Sequence, residues 1–194
     1  MGGWKVTTAA AEALISTADM KTYLKVENSA DDTLIAALVS GATEHAQRYL
    51  SQAFVTQSIT EKLDRFDVYP MYNEFSAIQL SVNPVQSITS ITYVDSNGAT
   101  QTLSSSLYVL DNYRKRAVIA PAYGQSWPSA RTQVNSITVV YSAGYGAASA
   151  VPEDIKQAVR LAVSDAYENR TDSVKQLPTA SKWLLDRVNY VVLL

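Results

Sequence analysis

The chain has 194 residues, of which 47% are hydrophobic and 18% are charged, and its formal net charge is −2. This composition is typical of a globular protein with a substantial core, and it excludes a strongly basic chain that coats nucleic acid. The absence of cysteine excludes disulfides and thiolate metal sites. We find no secretory signal and no run near the ~20 apolar residues of a bilayer span. We therefore expect use in a cytoplasm, or in a particle assembled there, without a membrane partner.

The first quarter of the sequence predicts two helices. A short helix is predicted over residues 17–25, and a longer one from about Asp32 to Leu50. The longer helix rests on apolar residues that recur at helical spacing, namely Leu34, Ile35, Leu38, Val39, Ala42, Ala46 and Tyr49. Asp31 or Asp32 is predicted to cap its N-terminus, because a carboxylate there can accept from the free backbone N–H groups.

From residue 53 the apolar period changes to two, which is typical of β-strands. Alternation predicts strands around 55–63, 78–82 and 91–94 and a last strand over 137–142. Asn97-Gly98 predicts a hairpin, because this dipeptide adopts positive φ at little cost. A second turn is predicted over 111–116 between two short strands, and residues 66–76 are predicted to form a loop.

A closing helix is predicted after the last strand. Gly144 and Gly146 break the strand pattern, and Pro152 suits the first turn of a helix. The carboxylates of Glu153 and Asp154 favour the same start, because they would lie at the positive end of the helix dipole. The apolar face of this helix is predicted to contain Ile155, Val159, Ala162, Val163 and Ala166.

The order of these elements predicts an α+β fold. In this prediction a helical bundle from the N- and C-terminal segments carries an inserted antiparallel β-rich region. The helical core comprises residues 1–52 plus 150–194 and ends in a docking tail, and the β-rich subdomain comprises residues 53–149.

The residue types that carry catalysis are sparse. The chain has one histidine and no cysteine, and a lone histidine without a second ligand makes a poor metal site. His45 is interpreted as a surface residue, and the Asp31-Asp32 and Glu153-Asp154 pairs as helix-capping acids rather than catalytic carboxylates. We assign no catalytic, cofactor-binding or metal-binding residue, and we expect no enzyme activity.

Arg114, Lys115 and Arg116 form a basic cluster on a predicted turn. One interpretation is a solvated hairpin tip. The other is a contact with DNA phosphates or with an acidic partner. Three charges do not decide between these interpretations.

The C-terminal segment is unusually apolar for a chain end. Its candidate docking residues are Trp183, Leu184, Leu185, Val188, Tyr190, Val191, Val192, Leu193 and Leu194. The segment could fold back into the core of its own subunit, or it could dock into a groove of a partner.

Five short sequences, taken in order, resemble those of the head-tail connector proteins of tailed bacteriophages, which are also called adaptor or head-completion proteins. They are DDTLIAALVSGATEHAQRYL at 31–50, GQSWP at 124–128, AGYG at 143–146, VPEDIKQAV at 151–159 and YENR at 167–170. Each is weak alone, but their order and spacing are fairly specific.

The resemblance implies a structural virion protein without catalysis or a cofactor. Such proteins assemble as a ring, usually a dodecamer, beneath the portal in the neck of the particle. The ring extends the DNA channel and receives the tail, a stopper or a tail-terminator protein. Its contact with passing double-stranded DNA would be transient and non-specific, and the C-terminal segment would dock into the portal.

Two alternatives stay open. One is a tail-side protein such as a tail terminator, against which the helix-first, helix-last order argues. The other is a monomeric β-rich module with Tyr and Trp residues lining a groove for a glycan or a peptide. Mass in solution separates the alternatives, since a connector forms rings or binds a portal and a module stays monomeric.

Overall fold

The computed structural model describes residues 3–66, 69–71, 75–169 and 179–191. The described helices are α1 (Thr17–Leu24), α2 (Asp32–Leu50), α3 (Glu153–Glu168) and α4 (Thr179–Val191). The described strands are β1 (Gly3–Thr8), β2 (Gln57–Leu63), β3 (Tyr69–Met71), β4 (Phe75–Gln79), β5 (Val85–Val94), β6 (Thr100–Thr102), β7 (Tyr108–Asp111), β8 (Val118–Pro121) and β9 (Ile137–Ala143). Two short 3₁₀ turns lie at Ser105–Leu107 and Ala148–Ala150.

The chain divides into two compact units. The β unit comprises Met1–Ala10 and Thr56–Gly144, and the helical unit comprises Ala11–Val55 and Tyr145–Leu194. The β unit contains a five-stranded sheet in the order β1-β2-β9-β5-β6 and a four-stranded sheet in the order β3-β4-β8-β7. Every neighbouring pair in both sheets is antiparallel.

The predicted bundle with an inserted β region is wrong. The fold is α+β, with four described helices and two antiparallel sheets, and its first element is a strand. Residues 3–8 form β1, which pairs with β2 at the edge of the five-stranded sheet. The weak apolar pattern at the N-terminus did not predict this strand, because an edge strand is ordered by backbone pairing with its neighbour.

The helical unit confirms the long helix at its predicted limits, Asp32–Leu50. Asp31 is the N-cap residue, as predicted, but its side chain makes no capping hydrogen bond. Asp31 instead accepts a hydrogen bond from the Tyr167 hydroxyl at 2.5 Å, and Asp32 forms an ion pair with Lys21 at 2.6 Å. These acids therefore join α2 to α3 and α1 within the unit.

The apolar faces of α2, α3 and α4 supply the core of the helical unit. Its fully buried side chains include Met20, Ile35, Phe54, Ile155, Val163 and Leu185. The predicted closing helix is confirmed as Glu153–Glu168, and Pro152 directly precedes it as the N-cap residue.

The five-stranded sheet buries one face. Along β9, Ile137, Val139 and Tyr141 are buried and alternate with half-buried residues, which confirms the predicted alternation. The Asn-Gly hairpin is also confirmed, between β5 and β6. Gly98 has φ of 88°, a conformation that glycine adopts without the penalty imposed by a Cβ atom.

The predicted loop over residues 66–76 is partly wrong. Backbone pairing makes antiparallel strands of residues 69–71 and 75–79, and residues 67–68 and 72–74 lie outside the described part. The next strand pair, β7 and β8, flanks the predicted turn. Asn83 donates its side-chain N–H to the Leu80 carbonyl and accepts from the amide of Ala117, the residue that follows this turn, at 2.8 Å.

Candidate functional site

Helix α4 carries the described part of the candidate docking tail. Leu185 and Val188 are buried, Leu184 is half-buried, and Trp183 has 61% of its surface exposed. Tyr190 and Val191 lie at the end of α4, and the tail prediction also includes Val192, Leu193 and Leu194, which lie outside the described residues. The segment is thus anchored on one side and open on the other.

The anchored side of α4 packs within the helical unit. Leu185 is completely buried. The buried Ser181 hydroxyl donates to the Ala158 carbonyl of α3 at 2.8 Å. Because both contacts are inaccessible to water, they fix the rotation of α4 about its own axis and so fix which residues face outward.

A carboxylate on α4 joins this helix to the end of α2. Asp186 accepts a hydrogen bond from the Tyr49 hydroxyl at 2.5 Å and pairs with the Lys182 ammonium group at 2.7 Å. The hydrogen bonds from Lys182 and then from Tyr49 hold the pKa of Asp186 below its ordinary value. The same Asp186 carboxylate and Tyr49 hydroxyl raise the pKa of Lys182, whose ammonium nitrogen lies 5.7 Å from the centre of the Tyr49 ring.

The open side of α4 presents an aromatic ring beside a cation. The Arg187 guanidinium lies 5.9 Å from the centre of the Trp183 ring, within the range of a cation–π contact. We call Trp183 and Arg187 the α4 surface. Tryptophan and arginine are the residue types that most often contribute large shares of binding energy at protein interfaces. The α4 surface is therefore suited to contact with another protein.

The basic cluster lies at the tip of the β7–β8 hairpin, and its three side chains are exposed. Asp111 orders the turn, since it pairs with Arg114 at 2.6 Å and accepts from the Tyr113 amide at 3.2 Å. Lys115 and Arg116 have no ion pair within the described part of the chain. These cations belong to the β unit, whereas the α4 surface belongs to the helical unit.

The sequence motifs did not predict a groove that lies beside a stack of aromatic rings. The Phe66 and Trp127 rings stack with centroids 4.8 Å apart, and Tyr93 meets Phe66 edge-on at 5.7 Å. The groove has a volume of about 710 Å³ and is lined by Asp64, Arg65, Phe66, Trp127, Pro128, Ala130, Arg131, Thr132, Gln133 and Val134. Only the composition, with its twelve tyrosines and three tryptophans, indicated an aromatic binding surface.

Two residues that were considered as catalytic or metal-binding candidates lie in an exposed ion pair and on an exposed helix surface. Glu153 pairs with Arg160 and with Lys156 at 3.6 Å, and His45 is exposed on α2. Within the described ranges, no group of three or more His, Cys, Asp or Glu residues could hold a metal ion. None of the described helices has the length and hydropathy needed to cross a bilayer.

Comparison with known proteins confirms the resemblance. Residues 15–108 match the model of the phage gp6-like head-tail connector protein family. No curated protein matches the chain.

The fold is shared with neck proteins of gene transfer agent (GTA) particles. One similar chain belongs to the neck of an empty GTA particle computed with C6 symmetry, at 20% identity and a TM-score of 0.76, covering 95% of this chain and 94% of that one. Another belongs to the virion of a native particle, at 21% identity and a TM-score of 0.77, covering 95% and 93%. A third belongs to a native neck computed with C12 symmetry, at 21% identity and a TM-score of 0.75, covering 95% and 93%.

Proposed function

Residues 15–108 match the phage gp6-like head-tail connector protein family, and on that premise we propose that the chain is a structural protein that joins head to tail and acts as one subunit of a ring beneath the portal. The ring extends the DNA channel at the head-tail interface of the virion. It assembles in the host cytoplasm, and its role is structural rather than enzymatic. The tail, or a stopper or terminator protein, binds on the side of the ring away from the portal.

The ring is supported by the family match and by the shared fold. The similar neck chains come from particles computed with C6 or C12 symmetry, and twelve copies is the number that we propose here. A cyclic ring needs two different patches on each subunit, because neighbours meet head to tail.

The portal contact is proposed for the α4 surface, and one observation carries it. Trp183 is 61% exposed on a helix whose opposite side is anchored by a fully buried Leu185. A large aromatic side chain held outward by a fixed helix gains from desolvation on binding and loses little conformational freedom. The docking residues beyond Val191 belong to the same proposal as a continuation of this segment.

Contact with DNA is proposed as transient and non-specific. Lys115 and Arg116 are exposed at the hairpin tip, and phosphate recognition by cations carries no sequence information. The chain has a net charge of −2, which suits a channel that lets DNA pass.

Portal binding tests the proposal most directly. The Trp183→Ala variant and the unaltered chain are mixed with purified portal, and the complexes are counted by negative-stain imaging and sedimentation. We expect the unaltered chain to add a collar to the portal and Trp183→Ala to lose at least tenfold in affinity. Tyr123→Ala is the control, because Tyr123 is an aromatic residue of the β unit that is even more exposed than Trp183. Equal portal binding by both variants would exclude the α4 surface as the anchor.

Removal of residues 182–194 is a less informative test. It would also remove Leu185 and Val188, which are buried in the helical unit. Loss of portal binding could then reflect a damaged core, whereas Trp183→Ala changes only an exposed side chain.

A second candidate function is a monomeric binding module, which the groove beside Phe66 and Trp127 favours. Aromatic rings on a concave surface suit stacking against a sugar or a proline. A monomeric mass, no collar on the portal, and Trp127 fluorescence that responds to glycan or peptide libraries would support the module. Binding to tails without binding to portals would instead support a tail-side protein.

A further inference from the structure

The first strand of the chain is fully exposed. All six residues of β1 are exposed, and β1 lies at one edge of the five-stranded sheet, where it pairs only with β2. Its outer side therefore offers backbone N–H and C=O groups to any strand that approaches.

Two apolar side chains of β1, Trp4 and Val6, lie on the face of the sheet that is buried on the neighbouring strand β2. Trp4 is directly opposite Glu61 and Val6 is directly opposite Ile59, and directly opposite residues of an antiparallel pair share a face. Glu61 and Ile59 are buried, whereas Trp4 and Val6 are 45% and 42% exposed. The buried face of the sheet thus continues one strand beyond the part that its own unit covers.

The other edge of the same sheet is open as well. The three residues of β6 are all exposed. Because each of the five strands is antiparallel to its neighbour, β1 and β6 run in the same direction. A rotation about an axis along the strands preserves that direction, so it can bring β6 of one copy beside β1 of the next as a parallel pair.

A lysine and a carboxylate lie near the same end of the two edges. Lys62 is exposed on β2, beside β1, and the Asp95 carboxylate lies in the turn that leads into β6. A row of directly paired residues on successive strands crosses the sheet near the end that carries this turn. The row consists of Lys62, Thr138, Thr92 and Thr102. A copy related by rotation therefore brings an acid and a lysine to the same end of the seam.

We infer that a second copy of this chain covers Trp4 and Val6 by placing its β6 edge against β1. The contact joins the five-stranded sheets of neighbouring subunits and supplies the two unlike patches that a cyclic ring needs. This inference rests on the proposed ring and names the seam by which the ring closes.

Chemical cross-linking can test this seam cleanly, because the chain has no cysteine of its own. Lys5→Cys and Thr102→Cys place thiols on the β1 and β6 edges, on the same face of the sheet by register. Within one chain these edges are four strand spacings apart, roughly 19 Å, so a short bis-maleimide cannot join them. We expect the double variant to give a ladder of covalent multimers, and each single variant to give none.

The controls distinguish the possible failures. Dimers from Lys5→Cys alone would mean that two β1 edges meet around a two-fold axis, which overturns the inference. Rings that are visible by imaging but yield no ladder would overturn the seam and leave the ring intact. A chain that stays monomeric by mass, alone and with the portal, would overturn the ring and the seam together.

A second pair of variants tests the apolar contact itself. Trp4→Ser combined with Val6→Lys should reduce ring formation at least tenfold and leave the melting temperature within a few degrees, since both side chains are partly exposed. Val109→Lys combined with Tyr113→Ser is the control, because Val109 is exposed on β7 and Tyr113 is exposed in the turn that follows this strand. Unchanged ring formation by the first pair would contradict the inference.

Discussion

Among the carboxylates that accept a hydrogen bond from a tyrosine, Glu61 and Asp186 lie in opposite surroundings. Glu61, on the inner face of the five-stranded sheet, is 1% exposed and accepts from the Tyr141 hydroxyl at 2.9 Å. Asp186, on α4, accepts from the Tyr49 hydroxyl at 2.5 Å where water reaches the pair. The comparison shows how burial changes the value of the same chemical contact.

Glu61 is satisfied by neutral donors. It accepts from the Ser81 amide at 3.1 Å and from the Ser81 hydroxyl at 2.5 Å, and the described residues place no cation within ion-pair distance of it. Tyr141 in turn accepts from the Val82 amide at 3.2 Å. The network thus holds residues 81–82, which follow the four-stranded sheet in the chain, against the five-stranded sheet.

Asp186 has a cation beside it and solvent around it. Its partner Lys182 has 50% of its side chain exposed, and exposed ion pairs contribute little to stability because water and salt screen them. We conclude that the buried network stabilises the fold of the β unit, whereas the exposed one orients α4. Four variants test this difference, from the largest expected effect to the smallest.

The Glu61→Ala variant should lose about 4 kcal/mol of unfolding free energy, because the buried Tyr141 hydroxyl and both donors of the half-buried Ser81 would lose their acceptor. Urea denaturation followed by circular dichroism measures this loss. Glu44→Ala is the control, since Glu44 makes an exposed pair with Arg48. A loss no larger than that of the control would contradict the role of the buried network.

The Leu185→Ala variant should lose about 3 kcal/mol, the range of fully buried leucines. This variant separates two contributions to the position of α4. Burial of Leu185 holds the helix in place, whereas the exposed Asp186 cluster only orients it. Differential scanning calorimetry of Leu185→Ala and Leu184→Ala compares a buried leucine with a half-buried one. Equal losses would mean that α4 is not anchored as the structure indicates.

The Tyr141→Phe variant should lose about 2 kcal/mol near neutral pH, since Glu61 and the Val82 amide each lose a partner. Burial first, and then the Glu61 charge, raise the pKa of Tyr141 above its ordinary value of 10.0. Unfolding therefore releases a proton above pH 10.0, so the Tyr141 contribution is present below that pH and is lost as the pH rises.

Stability measured across this alkaline range checks the sign. Tyr141→Phe should flatten the decline, and Tyr113→Phe should leave it unchanged because Tyr113 is 99% exposed. A decline of equal slope in both variants would assign the effect to other groups.

The Asp186→Asn variant should have the smallest effect. The pKa of Asp186 is lowered from 3.8 by Lys182 and then by Tyr49, so its contribution is present above pH 3.8 and is lost as the pH falls through the lower folded value. The variant should remove this acid-side loss and leave neutral stability almost unchanged. Denaturation at neutral pH and below pH 3.8 measures both. A large loss at neutral pH would show that this exposed cluster stabilises the fold after all.

Local patterns in the sequence were sufficient for several elements. The helix Asp32–Leu50, the alternation of β9 and the Asn97-Gly98 hairpin were predicted correctly, because each depends on residues within a few positions of one another. Short motifs indicated the resemblance to connector proteins, which the family match of residues 15–108 confirms. The candidate tail was also selected by composition, as a run of apolar residues at a chain end.

The sequence could not show which residues of that tail are buried and which are exposed. Trp183 and Leu185 are both large apolar residues two positions apart, and only packing against α3 decides that one is 61% exposed and the other is buried. Alternation places Glu61 on the same face as Ile59 and Leu63, but it does not show which groups donate to its carboxylate there. Its burial depends on Ser81 and Tyr141, which are distant in the chain.

By itself, then, the sequence determined where the chain is helical or extended and which family it resembles, since periodicity and short motifs are local properties. Only the tertiary structure decided that residues 3–8 join a sheet, that a carboxylate is buried, and which side of α4 is open. The physical reason is that these outcomes depend on contacts between segments far apart in the chain. The cost of bringing such segments together, and the gain from burying them, cannot be inferred from either segment alone.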